Sequence, residues 1–139
     1  MIAIRQAELR DSTAVFGLAK VFATSFAVEQ PAFELCFKAL LQSPGALVAV
    51  AADGDRVVGY LLGFAHHAFY ANGPVAWVEE IMVAEEFRRR GVGRELMRYF
   101  EQWAIARKAT LAGLATRRAA PFYRALGYEE SAVYFRKLL

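Results

Sequence analysis

The chain has 139 residues, 57% of them hydrophobic and 22% charged, with a formal charge of +3. That length supports one packed domain over residues 1–139, and the composition excludes a solvated disordered chain, which would carry fewer aromatics and more charge. The longest apolar runs, Ala46 to Ala52 and Val57 to Ala65, are strand-sized and fall well short of the roughly 20 apolar residues of a membrane span.

Met1-Ile2-Ala3-Ile4-Arg5 reads as an opening strand and lacks the basic region and apolar core of a secretory signal. With Cys36 as the only cysteine, no internal disulfide or cysteine-rich zinc site is available, and a cytoplasmic location is expected. Asp11 and Ser12 give a helix-cap signal, after which Val15, Leu18, Ala19, Phe22 and Phe26 recur at helical spacing. Pro31 suits the first turn of a second helix reaching about Gln42, with Phe33, Phe37, Leu40 and Leu41 apolar and Cys36 a small core residue. Ser43-Pro44-Gly45 stops it.

Ala46 to Ala52 is a strand, and Asp53-Gly54-Asp55-Arg56 is a hairpin turn signal. Val57 to about Phe69 is the returning strand, Asn72-Gly73-Pro74 a second turn, and Val75 to Val83 a third strand of this meander. From Gly91 the period becomes helical, through Val92, Leu96, Tyr99, Phe100, Trp103 and Ala104. Thr110 to Thr116 reads as a strand, Pro121 to Leu126 as a short helix closed by Gly127, and Tyr128 to Leu139 as extended to the end. The predicted order is β-α-α-β-β-β-α-β-α-β, an α/β fold with helices on a mixed sheet. There is no internal repeat, low-complexity tract or linker.

The most informative junction is Ile81-Met82-Val83, followed by Arg88-Arg89-Arg90-Gly91-Val92-Gly93 opening a helix. A strand that feeds a glycine-containing turn into a helix N-terminus makes an anion site, because free N–H groups and the helix dipole both favour negative charge. Glycines at 91 and 93 remove side chains where backbone approaches phosphate, and the arginines add charge-assisted hydrogen bonds. No Gly-Lys-Ser/Thr follows, and three glycines of a dinucleotide fingerprint are lacking.

On these residues the sequence resembles the GNAT superfamily of N-acetyltransferases. Arg88-x-x-Gly91-x-Gly93 matches its Arg/Gln-x-x-Gly-x-Gly/Ala motif, and Phe122-Tyr123-Arg124-Ala125-Leu126-Gly127-Tyr128 is similar to its Tyr-x-x-Leu-Gly-Phe segment. Element order and length agree, so the resemblance covers essentially the whole chain. It implies a GNAT-like, centrally splayed mixed sheet with acetyl-CoA in the splay as cosubstrate and no metal. Backbone groups of Ile81, Met82 and Val83 would pair with the pantetheine arm, and the amides of Arg89 to Arg94 would hold the pyrophosphate. Thr116 stands where many members carry an asparagine that contacts the cofactor arm; its hydroxyl has a shorter reach. The tail from Tyr128 is short for the family's closing hairpin.

Acetyl transfer to an amine needs a neutral amine, a polarised thioester carbonyl and a proton for the departing thiolate. An alkyl amine has a pKa of about 10.4, so a carboxylate, directly or through a water, must take its proton. Tyr123 occupies the family's general-acid position. For the base, Glu79 and Glu80 stand in an otherwise apolar strand, where carboxylates are costly without a role. Alternation puts Glu79 with Trp77 and Ile81, and Glu80 with Val78 and Met82. Glu79 ranks first, because several members place a glutamate four residues before the strand's final valine. His66-His67 could line the acceptor pocket or act as an alternative base, but reads first as a hydrogen-bonded strand-end pair, and not as a metal site.

The two acids favour a cationic acceptor, while protein N-termini, lysines, antibiotics, polyamines and amino acids all stay open. A non-catalytic acyl-CoA sensor is the alternative function. Neither a nucleic-acid nor a membrane partner is expected. Homodimers are common in the family, and no feature of this sequence specifies an interface.

Overall fold

A computed structural model describes all 139 residues. Strand β1 (Ile2–Gln6) pairs antiparallel with β2 (Ala46–Asp53), β2 with β3 (Arg56–Ala68), and β3 with β4 (Gly73–Val83). Strand β5 (Leu111–Leu114) adds to β4 in parallel, giving a five-stranded mixed sheet in the order β1-β2-β3-β4-β5. Helices α1 (Ser12–Phe22) and α2 (Gln30–Leu41) follow β1, α3 (Val92–Ala106) joins β4 to β5, and α4 (Ala120–Ala125) follows β5. No helix is long and apolar enough to cross a membrane.

Two apolar clusters sandwich the sheet. On one face Val48, Val50, Tyr60, Leu62 and Met82 meet Val15, Leu18 and Ala19 of α1 and Phe33, Phe37, Leu40 and Leu41 of α2. On the other, Ala49, Ala51, Leu61, Val78, Ile81 and Val83 meet Val92, Leu96, Met97, Phe100 and Ala104 of α3. Period-2 alternation in the strands and period-3.6 spacing in the helices thus bury complementary faces.

Four expectations change. Helix α1 stops at Phe22, where Ala23 turns extended, and Phe26 is exposed; Ala23-Thr24-Ser25 offers hydroxyls that compete for backbone groups. Cys36 is exposed and no core residue, because it lies on the flank of the stripe formed by Phe33, Phe37, Leu40 and Leu41. The closing strand over 128–139 is not formed: the segment joins no ladder, and Arg136 instead donates to Ser25 Oγ at 2.9 Å in the α1–α2 connection. At the first cap, Asp11 faces away from α1. Its buried carboxylate takes two hydrogen bonds from Arg5, at 2.8 and 2.9 Å, and one from the Glu8 amide. The Arg5 bonds hold its pKa below the ordinary carboxylate range.

The β3–β4 register slips once. Leu62 pairs with Glu80 and Gly63 with Val78, so Glu79 is the extra residue of a β-bulge. Strict alternation therefore fails at this point. Val78 lies with Ile81 on the α3 face, while Met82 packs on the α1–α2 face. Opposite the bulge, Gly63 leaves room for the fully buried Phe100 ring, which a Cβ there would approach to 2.7 Å. Gly63→Ala is expected to cost about 1 to 3 kcal/mol of stability through this overlap, measurable by urea denaturation.

Candidate active site

Strands β4 and β5 pair only from Val75–Leu111 to Val78–Leu114. Beyond that point β5 gives way to the turn leading to α4, so residues 79–83 of β4 have no strand partner on that side. The parting coincides with the bulge. A kinked strand twists away from its neighbour more sharply than a regular one, which accounts for the opening at this level.

At the far end of the open edge lies the arginine–glycine loop. Gly91 is the N-cap of α3 with φ +82°, and Arg89 also takes a positive φ of 62°. These two left-handed turns fold the loop back over the helix end. The amides of Phe87 and Arg88 bond to Ala84 and Glu85, and Glu95 bonds to Gly91. Between them, the six N–H groups of Arg89 to Arg94 find no acceptor within the chain. Six adjacent free donors at a helix N-terminus fit an anion such as a pyrophosphate.

The arginine side chains are differently employed. Arg88 Nε donates to Val83 O at 3.0 Å, tying the loop to the end of β4. Arg90 stacks over one side of the Phe87 environment, 4.7 Å from the ring centroid, and Arg56 approaches the same ring at 5.2 Å. Gly93 has a role beyond phosphate approach, since a Cβ there would meet Phe122 Cζ at 3.3 Å. That contact seats α4 against the first turn of α3.

Tyr123 follows Phe122 and is 8% exposed. Its ring meets Phe122 edge-on at 4.9 Å and Tyr128 at 6.0 Å, and Tyr128 in turn donates to Glu101 Oε2 at 2.7 Å. The Tyr123 hydroxyl makes no hydrogen bond within the chain, yet it is not sealed from solvent. Burial raises its pKa, so the phenol keeps its proton at neutral pH. Thr116 Oγ1 accepts from the Ala119 amide at 3.1 Å, which fixes the turn into α4.

The two glutamates differ. Glu79 projects from the bulge and is exposed, whereas Glu80 is half-buried and accepts a hydrogen bond from Tyr60 at 2.7 Å. Tyr60 belongs to the α1–α2 cluster, and Tyr123 to the α3 cluster. The opening between β4 and β5 thus has a carboxylate on one side of the sheet and a phenol on the other. Tyr60 is the residue that sequence reasoning overlooked; a polar-tipped aromatic inside the apolar run Val57 to Ala65 was its signal.

His66 and His67 stand elsewhere. They pair with Val75 and Pro74 near the Asn72-Gly73 turn, roughly 16 Å along β4 from Glu80 at about 3.3 Å per residue. Both are exposed, neither side chain makes a hydrogen bond, and no third metal-ligating side chain gathers with them. The expected hydrogen-bonded pair is therefore absent, because the hairpin end projects both rings toward water.

Comparison with known proteins agrees with this fold. The model of the acetyltransferase (GNAT) family matches residues 9–128. The chain is 32% identical over 108 residues to an aminoglycoside N(6')-acetyltransferase type 1 from Acinetobacter genomosp. 13, covering 70% of this chain and 74% of the relative. In fold it is similar to glucosamine-6-phosphate N-acetyltransferase from Arabidopsis thaliana, with a TM-score of 0.88, 16% identity and coverage of 99% and 98%. It is likewise similar to AAC(6')-Iy bound to the bisubstrate analogue CoA-S-monomethyl-acetylneamine, with a TM-score of 0.83, 23% identity and coverage of 100% and 99%. The splayed five-stranded sheet, the donor-rich loop and these matches together lead to one assignment: the chain belongs to the acetyltransferase (GNAT) family and is an acetyl-CoA-dependent N-acetyltransferase.

Proposed function

We propose that the chain acetylates a polycationic amine of the amino-sugar class, with the amine entering on the α1–α2 face and the thiol leaving on the α3 face. The observation that carries this reading is the open β4 edge, flanked by Glu80 on one side of the sheet and Tyr123 on the other. Acetyl-CoA supplies an activated thioester. Its pyrophosphate would lie on the amides of Arg89, Arg90, Gly91, Val92, Gly93 and Arg94, with Arg88 bracing the loop, and its pantetheine arm along Ile81, Met82 and Val83 as an added strand. Thr116, occupied as an acceptor by the Ala119 amide, keeps its O–H free to donate to that arm.

The chemistry divides between two side chains and the backbone. Glu79, solvated at the bulge, takes the ammonium proton directly or through a water, freeing the nitrogen lone pair. Nitrogen attacks the carbonyl carbon, the C–S bond breaks, and Tyr123 gives its proton to the departing sulfur. Backbone on the edge of β4 that has no strand partner beyond Val78 can receive the charge that gathers on the carbonyl oxygen.

The relative from Acinetobacter is named for aminoglycosides, and AAC(6')-Iy was captured with an acetylneamine analogue. Both names agree with two carboxylates that lack any cationic side chain as partner. Incubation with acetyl-CoA and neamine is expected to release free thiol in step with N-acetylneamine, while acidic amino acids release little. Acetylation of acidic amino acids in preference to neamine would overturn the acceptor class.

A further inference from the structure

Tyr60 is 2% exposed, in the cluster with Val15, Phe37, Val48 and Val50. A phenol so deep in apolar surroundings needs a partner for its hydroxyl, and its sole partner is Glu80 Oε1. Burial first, and then the neighbouring carboxylate charge, push its pKa far above the ordinary phenol value. Tyr60 is therefore a fixed donor under all working conditions.

Glu80 gains one hydrogen bond from this arrangement and nothing else. Its second oxygen has no partner in the chain, and no arginine, lysine, histidine or terminal amine lies within ion-pair distance. The other inward carboxylates are better matched. Asp11 has Arg5, and Glu101, the second carboxylate held by a tyrosine, shares a cavity with Arg94 and Arg98. A half-buried carboxylate with one oxygen unpaired and no cation beside it is open to an ammonium group, which could donate a charge-assisted hydrogen bond to that oxygen.

The bulge explains why this carboxylate stands here. The register from Ala68–Gly73 to Gly63–Val78 would, if unbroken, set Glu79 opposite Leu62. One inserted residue sets Glu80 there instead, beside Tyr60 and level with the point where β4 leaves β5. Glu79 is displaced to solvent. The bulge thus separates the two acids into a held one and a free one.

We propose that Tyr60 is a positioning residue that locks one oxygen of Glu80, so that the other forms a fixed seat for an ammonium group of the acceptor. This assignment rests on the reading of the acceptor as a cationic amine. Binding and proton removal are then distinct tasks, with Glu80 as the seat and Glu79 as the outlet. The substrate class that fits is an amine carrying positive charge at the reacting nitrogen or one next to it.

The test is a double-mutant cycle with neamine as the probe. Tyr60→Phe should raise KM for neamine roughly tenfold, the effect of losing one hydrogen bond to a charged group, and leave KM for acetyl-CoA within about twofold. Glu80→Gln should raise it at least as far, and the double variant should match Glu80→Gln alone, because Tyr60 acts through Glu80. An unchanged neamine KM in Tyr60→Phe, or losses that multiply in the double variant, would overturn the proposal. Should Tyr60→Phe fold poorly by its melting curve, an unchanged neamine KM in Glu80→Gln overturns it equally. Calorimetric titration of neamine into the CoA-bound protein reads the seat without turnover. Tighter binding by wild type than by Tyr60→Phe supports the seat, and equal binding sinks it. An active wild type with an indifferent Tyr60→Phe defeats this inference alone, whereas a wild type that acetylates no cationic amine defeats the functional reading.

Discussion

Tyr123→Phe is expected to lower kcat by roughly 100- to 10,000-fold, the span measured for removing a positioned proton donor, with KM for acetyl-CoA changed by less than about twofold. The phenylalanine keeps the edge-on contacts to Phe122 and Tyr128, so packing is preserved and only the O–H is lost. Stopped assays of thiol release, paired with melting curves, separate the chemical effect from any loss of fold. Unchanged turnover would remove Tyr123 from the mechanism. The pH dependence gives a second check. A general acid must be protonated to act, so activity from this group falls as pH rises through its pKa. Burial raises that pKa, and the alkaline limb it sets should lie above the ordinary tyrosine value of about 10, not at pH 8 or 9. In Tyr123→Phe that limb should vanish.

Phe100→Ala is expected to destabilise the fold by about 3 to 5 kcal/mol, as for other large aromatic deletions in close-packed cores. Phe100 is fully buried at the centre of the α3 cluster, against Gly63 and near Trp103 at 6.2 Å between rings. The cavity would open directly beneath the bulge. Urea or guanidinium unfolding measures the loss. The pairing with Gly63 sharpens the prediction, because the ring is what makes a side chain at 63 intolerable. Gly63→Ala introduced into the Phe100→Ala background should therefore cost far less than it does in the wild type, and strict additivity of the two would contradict the packing described above.

Most of the architecture was legible because its signals are local. The turns at Gly54 and Asn72-Gly73, the stop at Ser43-Pro44-Gly45 and the change of period at Gly91 mark each junction, and the observed elements begin and end within a few residues of them. The loop was legible for the same reason: its glycines and the preceding Ile81-Met82-Val83 lie on one stretch of chain. The bulge was not. Nothing in Trp77-Val78-Glu79-Glu80-Ile81 distinguishes a regular strand from one with an inserted residue, and parity arguments reverse across it. The hint lay on the opposite strand, where Gly63 interrupts an apolar run. The link between Tyr60 and Glu80 depends on that slip, so it could be read only from the paired strands. The tail shows the converse limit. Its Val133, Tyr134 and Phe135 suit a strand by propensity, but a ladder needs a partner edge, and propensity supplies none.

The employment of the arginines beside the loop has a bearing on ionic strength. Three consecutive guanidinium groups invite the expectation of binding that collapses as salt screens them. Here Arg88 is tied to Val83 O and Arg90 lies on Phe87, whereas the six unpaired donors belong to the backbone. Peptide N–H groups fixed at a helix end keep their hydrogen-bond geometry in salt, although the field of the helix dipole is itself screened. Arg88 and Arg90 keep their charge in these contacts, so affinity for the anionic donor should fall as sodium chloride is added, while the fixed backbone donors leave a residual hold that does not depend on the guanidinium groups.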